Sequence, residues 1–167
     1  AEDNLAHLLP VPPRADGRWT WSPIFRRTAK DNKHYMNKMI ACYREEAIEC
    51  VKDHVLQVHK QIYAKYNGDF DRIYTEGYNS KSYTGRVIEP GKVYELSYLE
   101  CTCPKVKCGL RNHPQQCECS RQSILYILSQ LEPDSHFEVR IENTILRGSD
   151  RCTFLITRHE GIYYRRK

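Results

Sequence analysis

No run of eighteen apolar residues occurs in this 167-residue chain, and the strongest apolar stretches, around Ile124 to Leu128 and Thr153 to Ile156, are too short to cross a bilayer. The sequence therefore predicts no membrane span. A glycine-rich phosphate loop, a serine nucleophile elbow and an HExxH helix are also missing, which removes the commonest nucleotide, acyl-transfer and zinc-protease signatures. Basic residues outnumber acidic ones by 26 to 21, yet they gather only at Arg26-Arg27 and Arg165-Arg166-Lys167. The net charge of +5 gives a mildly basic surface without the Lys/Arg stripe and stacking aromatics that nucleic acid requires, so no nucleic-acid partner is expected. Glu45, Glu46, Glu49, Glu138 and Glu142 show no spacing that singles out an acid–base couple. The sequence opens at Ala1 with neither an initiator Met nor a charged-then-apolar leader; a cytoplasmic site is favoured, and export is the alternative.

With 40% hydrophobic and 28% charged residues, 8 Gly and 8 Pro, the composition is that of one globular domain. Residues 1–30 hold Pro10, Pro12, Pro13 and Pro23 with Trp19 and Trp21, and read as an extended arm on a domain of residues 31–167. From Asp31 to Tyr66 neither Pro nor Gly occurs. Met36, Ile40, Tyr43, Ala47, Val51, Val55, Val58 and Ile62 recur at helical spacing, so one long amphipathic helix is expected, capped by Asp31 and stopped by Asn67-Gly68. The period then changes to two. Tyr83 to Glu89, a Pro90-Gly91 turn and Lys92 to Cys101 predict a hairpin. Residues 102–118 contain too much Pro, Gly and Asn for a regular element of any length, so ligation or docking must order them. Ser120 to Leu131 reads as a short helix, and Phe137 to Ile141 with Cys152 to Ile156 as a second hairpin. The expected class is α+β: an antiparallel sheet covered by helices, with a cysteine-rich metal-binding loop.

Cysteine use is uneven. Cys42 and Cys50 lie early and Cys152 late, while Cys101, Cys103, Cys108, Cys117 and Cys119 crowd together. Cys-x-Cys pairs make strained mutual disulfides, and a chain of this length does not need stapling, so thiolates around a metal explain the cluster better. The candidate ligands are Cys101, Cys103, Cys117, Cys119 and Cys152, with zinc as the ion and an iron–sulfur cluster as the alternative. A helix start stabilises thiolate, which favours Cys119 and Cys117. His113 is a spare ligand. Cys42 and Cys50 read as buried free thiols, although Cys50 and His54, one helical turn apart, would also suit a ligand pair or a nucleophile with its base. His59 adds little. Tyr74, Tyr78, Tyr94, Tyr98 and Tyr126 serve packing or line a pocket.

Cys119 opening a helix, then Phe137-Glu-Val-Arg-Ile-Glu142, then Ile145-Leu-Arg-Gly-Ser-Asp-Arg-Cys152-Thr-Phe154, resembles the vinyl reductase-like small-molecule-binding domain. It is also similar to the 2-aminothiazoline-carboxylate hydrolase group and bacterial relatives. The resemblance spans about residues 95–158. It implies a fold like that of subunits of a Golgi transport complex, and a zinc site matching Cys119, Glu142 and Cys152, with Ile145 where a fourth ligand, a cysteine, would stand.

The leading expectation is a metal-stabilised, sensor-like domain that takes a small, partly aromatic organic molecule between the long helix and the sheet. A metal- or thiol-dependent hydrolase or reductase is the alternative, and a disulfide-stapled exported interaction domain the second alternative. A Trp-bearing arm could also reach a second subunit and make a homodimer.

Overall fold

The computed structural model describes residues 29–159, with side chains from Lys33 onward. The chain divides between His34 and Tyr35, and the packing described below is that of the second unit. The predicted arm with Trp19 and Trp21 and the basic tail at Arg165 to Lys167 lie outside the described residues.

The uninterrupted apolar period predicts one helix, but the chain forms two, α1 (Ala29–Val51) and α2 (His54–Lys65). The first is already helical at Ala29, ahead of the Asp31 cap the sequence suggested. The break falls at Lys52 and Asp53, where Asp53 takes φ −93° and ψ −96°. Aspartate is a weak helix-interior residue because its carboxylate competes for nearby backbone N–H groups. Tertiary packing rewards the break: Val51 and Leu56 pack together with Ile127 of α5 (Cys117–Leu131). Part of the predicted apolar stripe stays wet, since Met36 is 43% exposed. Helix α2 ends where Asn-Gly predicts, with φ 52° at Asn67 and 75° at Gly68.

A single turn of helix, α3 (Phe70–Arg72), then widens into a π-helical turn over Ile73–Gly77. The Asp69 carboxylate caps it by accepting the Arg72 N–H at 3.1 Å. This segment carries Phe70, Ile73 and Tyr74 into the core. It lies so close to the sheet that a Cβ at Gly85 would sit 2.6 Å from the Tyr74 carbonyl oxygen, so only glycine fits there.

Four strands, β1 (Tyr83–Glu89), β2 (Val93–Tyr98), β3 (His136–Asn143) and β4 (Cys152–His159), form one antiparallel sheet in the order β1-β2-β4-β3. The two predicted hairpins are therefore joined through β2 and β4, whose register sets Tyr94 opposite Ile156, Leu96 opposite Phe154 and Tyr98 opposite Cys152. Alternation puts Tyr94, Leu96, Val139, Phe154 and Ile156 in the core and leaves Glu138, Arg140 and Glu142 exposed on β3. The α+β class with helices and a four-stranded antiparallel sheet is thus as expected. Between β2 and α5 the cysteine segment contains only the one-turn helix α4 (Pro104–Lys107) and a 3₁₀ turn at Pro114–Gln116. No helix among the described residues is long and apolar enough to cross a membrane.

Candidate ligand cavity and its thiol wall

Docking orders the cysteine segment. Glu46 on α1 accepts both Arg111 guanidinium nitrogens at 3.0 and 3.2 Å and pairs with Lys105 at 2.7 Å. Arg111 also donates to the buried Gln116 side chain at 2.9 Å, and Gln116 reaches the Cys103 sulfur at 3.7 Å. Lys105 first, then Arg111, hold the Glu46 carboxyl below its ordinary range. Nothing in the sequence separates Glu46 from Glu45 and Glu49, because the loop that selects it is distant along the chain.

The docked segment closes one side of a cavity of about 310 Å³. Val51 and Val55 come from the α1–α2 break, Tyr83 and Tyr98 from the first hairpin, and Ile127 from α5. Cys50, Cys103 and Cys119 add three thiols, and Thr102, Ser120, Ser123 and His59 a few polar groups. Among the described residues no Lys, Arg, Asp or Glu lines it. A second hollow, about 320 Å³, is bordered by Lys38, Glu46 and Arg111 and is more open to solvent.

Burial keeps His59, Tyr98 and Cys119 of its wall neutral. Burial pushes His59 down from 6.5 to about 4, and its Nδ1 lies 2.7 Å from the Tyr78 hydroxyl. Burial raises Tyr98 far above the ordinary phenol range. Cys119 is pushed up to about 11, by burial first and then by the neighbouring Cys103, Cys50 and Glu46. The helix-start argument favours a thiolate there, but desolvation outweighs the dipole of α5.

The five predicted ligands fall into two groups. Cys101, Cys117 and Cys152 border a small crevice, and Cys103 lies between that crevice and the cavity holding Cys119. Cys117 and Cys152 are both buried and border the same crevice, where each bears on the other's ionisation. Cys152 raises Cys117; Cys117 and the Ile145 N–H at 3.4 Å lower Cys152. Burial raises Cys101. Among the described residues no three His, Cys, Asp or Glu side chains converge on a point that would hold a metal ion. Glu142, assigned to zinc by the resemblance, is exposed on β3 and paired with Arg140. His113 is exposed and accepts the Gln115 N–H at 3.2 Å, which caps the 3₁₀ turn. Cys42 and Cys50 are exposed, not buried as the sequence suggested. The helix break also separates Cys50 on α1 from His54 on α2, so they do not share one helical turn.

No family model and no curated protein matches the chain. Among solved structures it is similar to a trafficking protein particle complex subunit 3 from Naegleria fowleri covalently bound to palmitic acid. The two share 11% identity, the match covers 80% of this chain and 92% of that one, and the TM-score is 0.44. A likeness this slight carries no weight for the function.

Proposed function

We propose that the chain is a binding domain for a small, uncharged, largely apolar organic molecule held between the α1–α2 break, the first hairpin and α5. The observation that carries this reading is the cavity of about 310 Å³ whose wall, among the described residues, carries no Lys, Arg, Asp or Glu side chain. A carboxylate or ammonium group entering it would lose hydration and find no counter-charge, at a cost of several kcal/mol. An apolar ring would lose nothing polar and gain contact with Val51, Val55, Tyr98 and Ile127. The few hydroxyls, thiols and the neutral His59 suffice to orient one polar substituent. The reading is one of binding, and a Cys119 thiol pushed up to about 11 by burial is a poor nucleophile at neutral pH. It does not depend on the zinc ion that the cysteine spacing suggests.

Ser123 is half-buried on the cavity wall, and its hydroxyl bonds back to the Cys119 carbonyl at 3.0 Å. Ser123→Trp is expected to fill the cavity and abolish binding of a neutral fluorescent probe, N-phenyl-1-naphthylamine, while the circular dichroism spectrum stays unchanged. Undiminished binding by a folded Ser123→Trp protein would place the probe elsewhere.

A further inference from the structure

At the end of the sheet away from the cysteine segment, β3 begins and β4 ends on a histidine, and the register sets His136 directly opposite His159. We infer that this cross-strand pair is a binding site for one borderline divalent metal ion, of the nickel, copper and zinc group, held by one imidazole nitrogen from each strand. The ring centroids lie 5.4 Å apart with the planes 37° from parallel. Two imidazoles whose nitrogens stand about 2.1 Å from one tetrahedral ion have centroids about 5.3 Å apart, so the two strands already hold the rings at the spacing the ion needs. Once one nitrogen is bound, the second is at high effective concentration, which is why a paired site outbinds a lone histidine.

Strand alternation adds charge of the right sign. Glu138, two residues on from His136, shares its face of β3, and its Oε2 lies 3.7 Å from the Nε2 of His159. That is too long for a hydrogen bond, yet it sets a carboxylate beside the ion. Arg140, the next residue on that face, is paired with Glu142. Two imidazoles and a carboxylate that has not closed on them stop short of three converged donors, so the ion keeps water on its remaining positions. Nitrogen donors select against calcium and magnesium, which take oxygen ligands. The site is open to solvent, whereas Phe137 and Val139, which alternate with these residues along β3, are buried and fix the strand from its other face. At about 3.3 Å per residue, His159 stands about 23 Å along β4 from Cys152, so this ion is independent of the thiols.

The test is a titration of the full chain with Ni2+ at pH 7.5, followed by calorimetry and by two-dimensional amide NMR. Ni2+ stands for the group because, unlike Cu2+, it does not oxidise thiols. One ion per chain is expected to bind with a Kd below about 0.1 mM. Substoichiometric Ni2+, being paramagnetic, is expected to broaden the amide signals of Phe137, Glu138 and Arg158 before those of residues 101–119. His136→Gln and His159→Gln, both at exposed positions, are each expected to weaken binding at least tenfold with an unchanged circular dichroism spectrum, and Glu138→Gln to weaken it less. No binding below that limit, full-strength binding after either histidine is replaced, or broadening centred on residues 101–119 would each overturn the assignment. None of these outcomes bears on whether the cavity binds a neutral molecule, which the Ser123→Trp protein decides.

Discussion

Replacing Phe70 with alanine is expected to destabilise the domain by about 3 to 5 kcal/mol, the range for removing a fully buried aromatic side chain. Phe70 is 4% exposed and its ring centroid lies 5.9 Å from Tyr63, 6.1 Å from Tyr74, and 5.7 Å from both Tyr94 and Phe137. The Arg158 guanidinium caps the cluster at 5.4 Å. These rings belong to α2, α3 with its π-helical turn, and strands β2 and β3, so one truncation leaves a void where four parts of the fold meet. Net stabilities of small domains are about 5 to 15 kcal/mol, which makes this a large fraction of the total. Phe70→Leu keeps much of the volume and is expected to cost less than half as much. Urea unfolding with an unchanged slope and a lower midpoint would report it. A loss under about 1 kcal/mol for Phe70→Ala would mean that the aromatic cluster is not the centre of the core.

The second large effect is acid destabilisation through His59. Its pKa is about 4 in the folded chain against 6.5 when free, because burial disfavours the imidazolium. Between those values the unfolded chain binds a proton that the folded chain does not. Stability therefore falls as pH drops from about 6.5 toward 4, and this residue adds no further loss below that. The shift is equivalent to about 3 kcal/mol, reduced to about 2 because the cavity beside the ring admits water. Unfolding free energies measured at pH 7 and pH 4.5 should show this difference, and His59→Gln should remove most of it. Glutamine keeps a polar group facing the Tyr78 hydroxyl and has no proton to gain. An equal pH dependence in the two proteins would show that the acid loss arises elsewhere.

The strands were legible because alternation, Pro90-Gly91 and Arg147 to Asp150 all point the same way. The start of α5 at Cys117 and not Ser120 was not, since the two turns before it, at Pro104–Lys107 and Pro114–Gln116, follow from docking on Glu46. The α1–α2 break lies inside an unbroken apolar period, where only packing against Ile127 shows that two helices serve better than one. Residues 70–77 carried no readable period because the π-helical turn widens the spacing. At the site, clustering brought Cys103 and Cys119 into view, and Tyr98 was one of the tyrosines considered for a pocket. By sequence Cys50 reads as a buried thiol, and its place on the cavity wall depends on the helix break. Glu46 is a tertiary choice among similar carboxylates. The meeting of Cys117 and Cys152 at one crevice needs β4 beside β2, a contact between hairpins that no local pattern encodes.

Whether the cavity selects an uncharged ligand is decided by two probes sharing one aromatic core, neutral N-phenyl-1-naphthylamine and its anionic 8-sulfonate, compared by fluorescence titration of the folded chain at pH 7.5. A wall whose described residues carry no charged side chain, with His59 and Cys119 kept neutral by burial, predicts saturable binding of the neutral probe at one site per chain and at least tenfold weaker binding of the sulfonate. Tighter binding of the sulfonate, or no saturable binding of the neutral probe, would contradict a cavity built for an uncharged ligand.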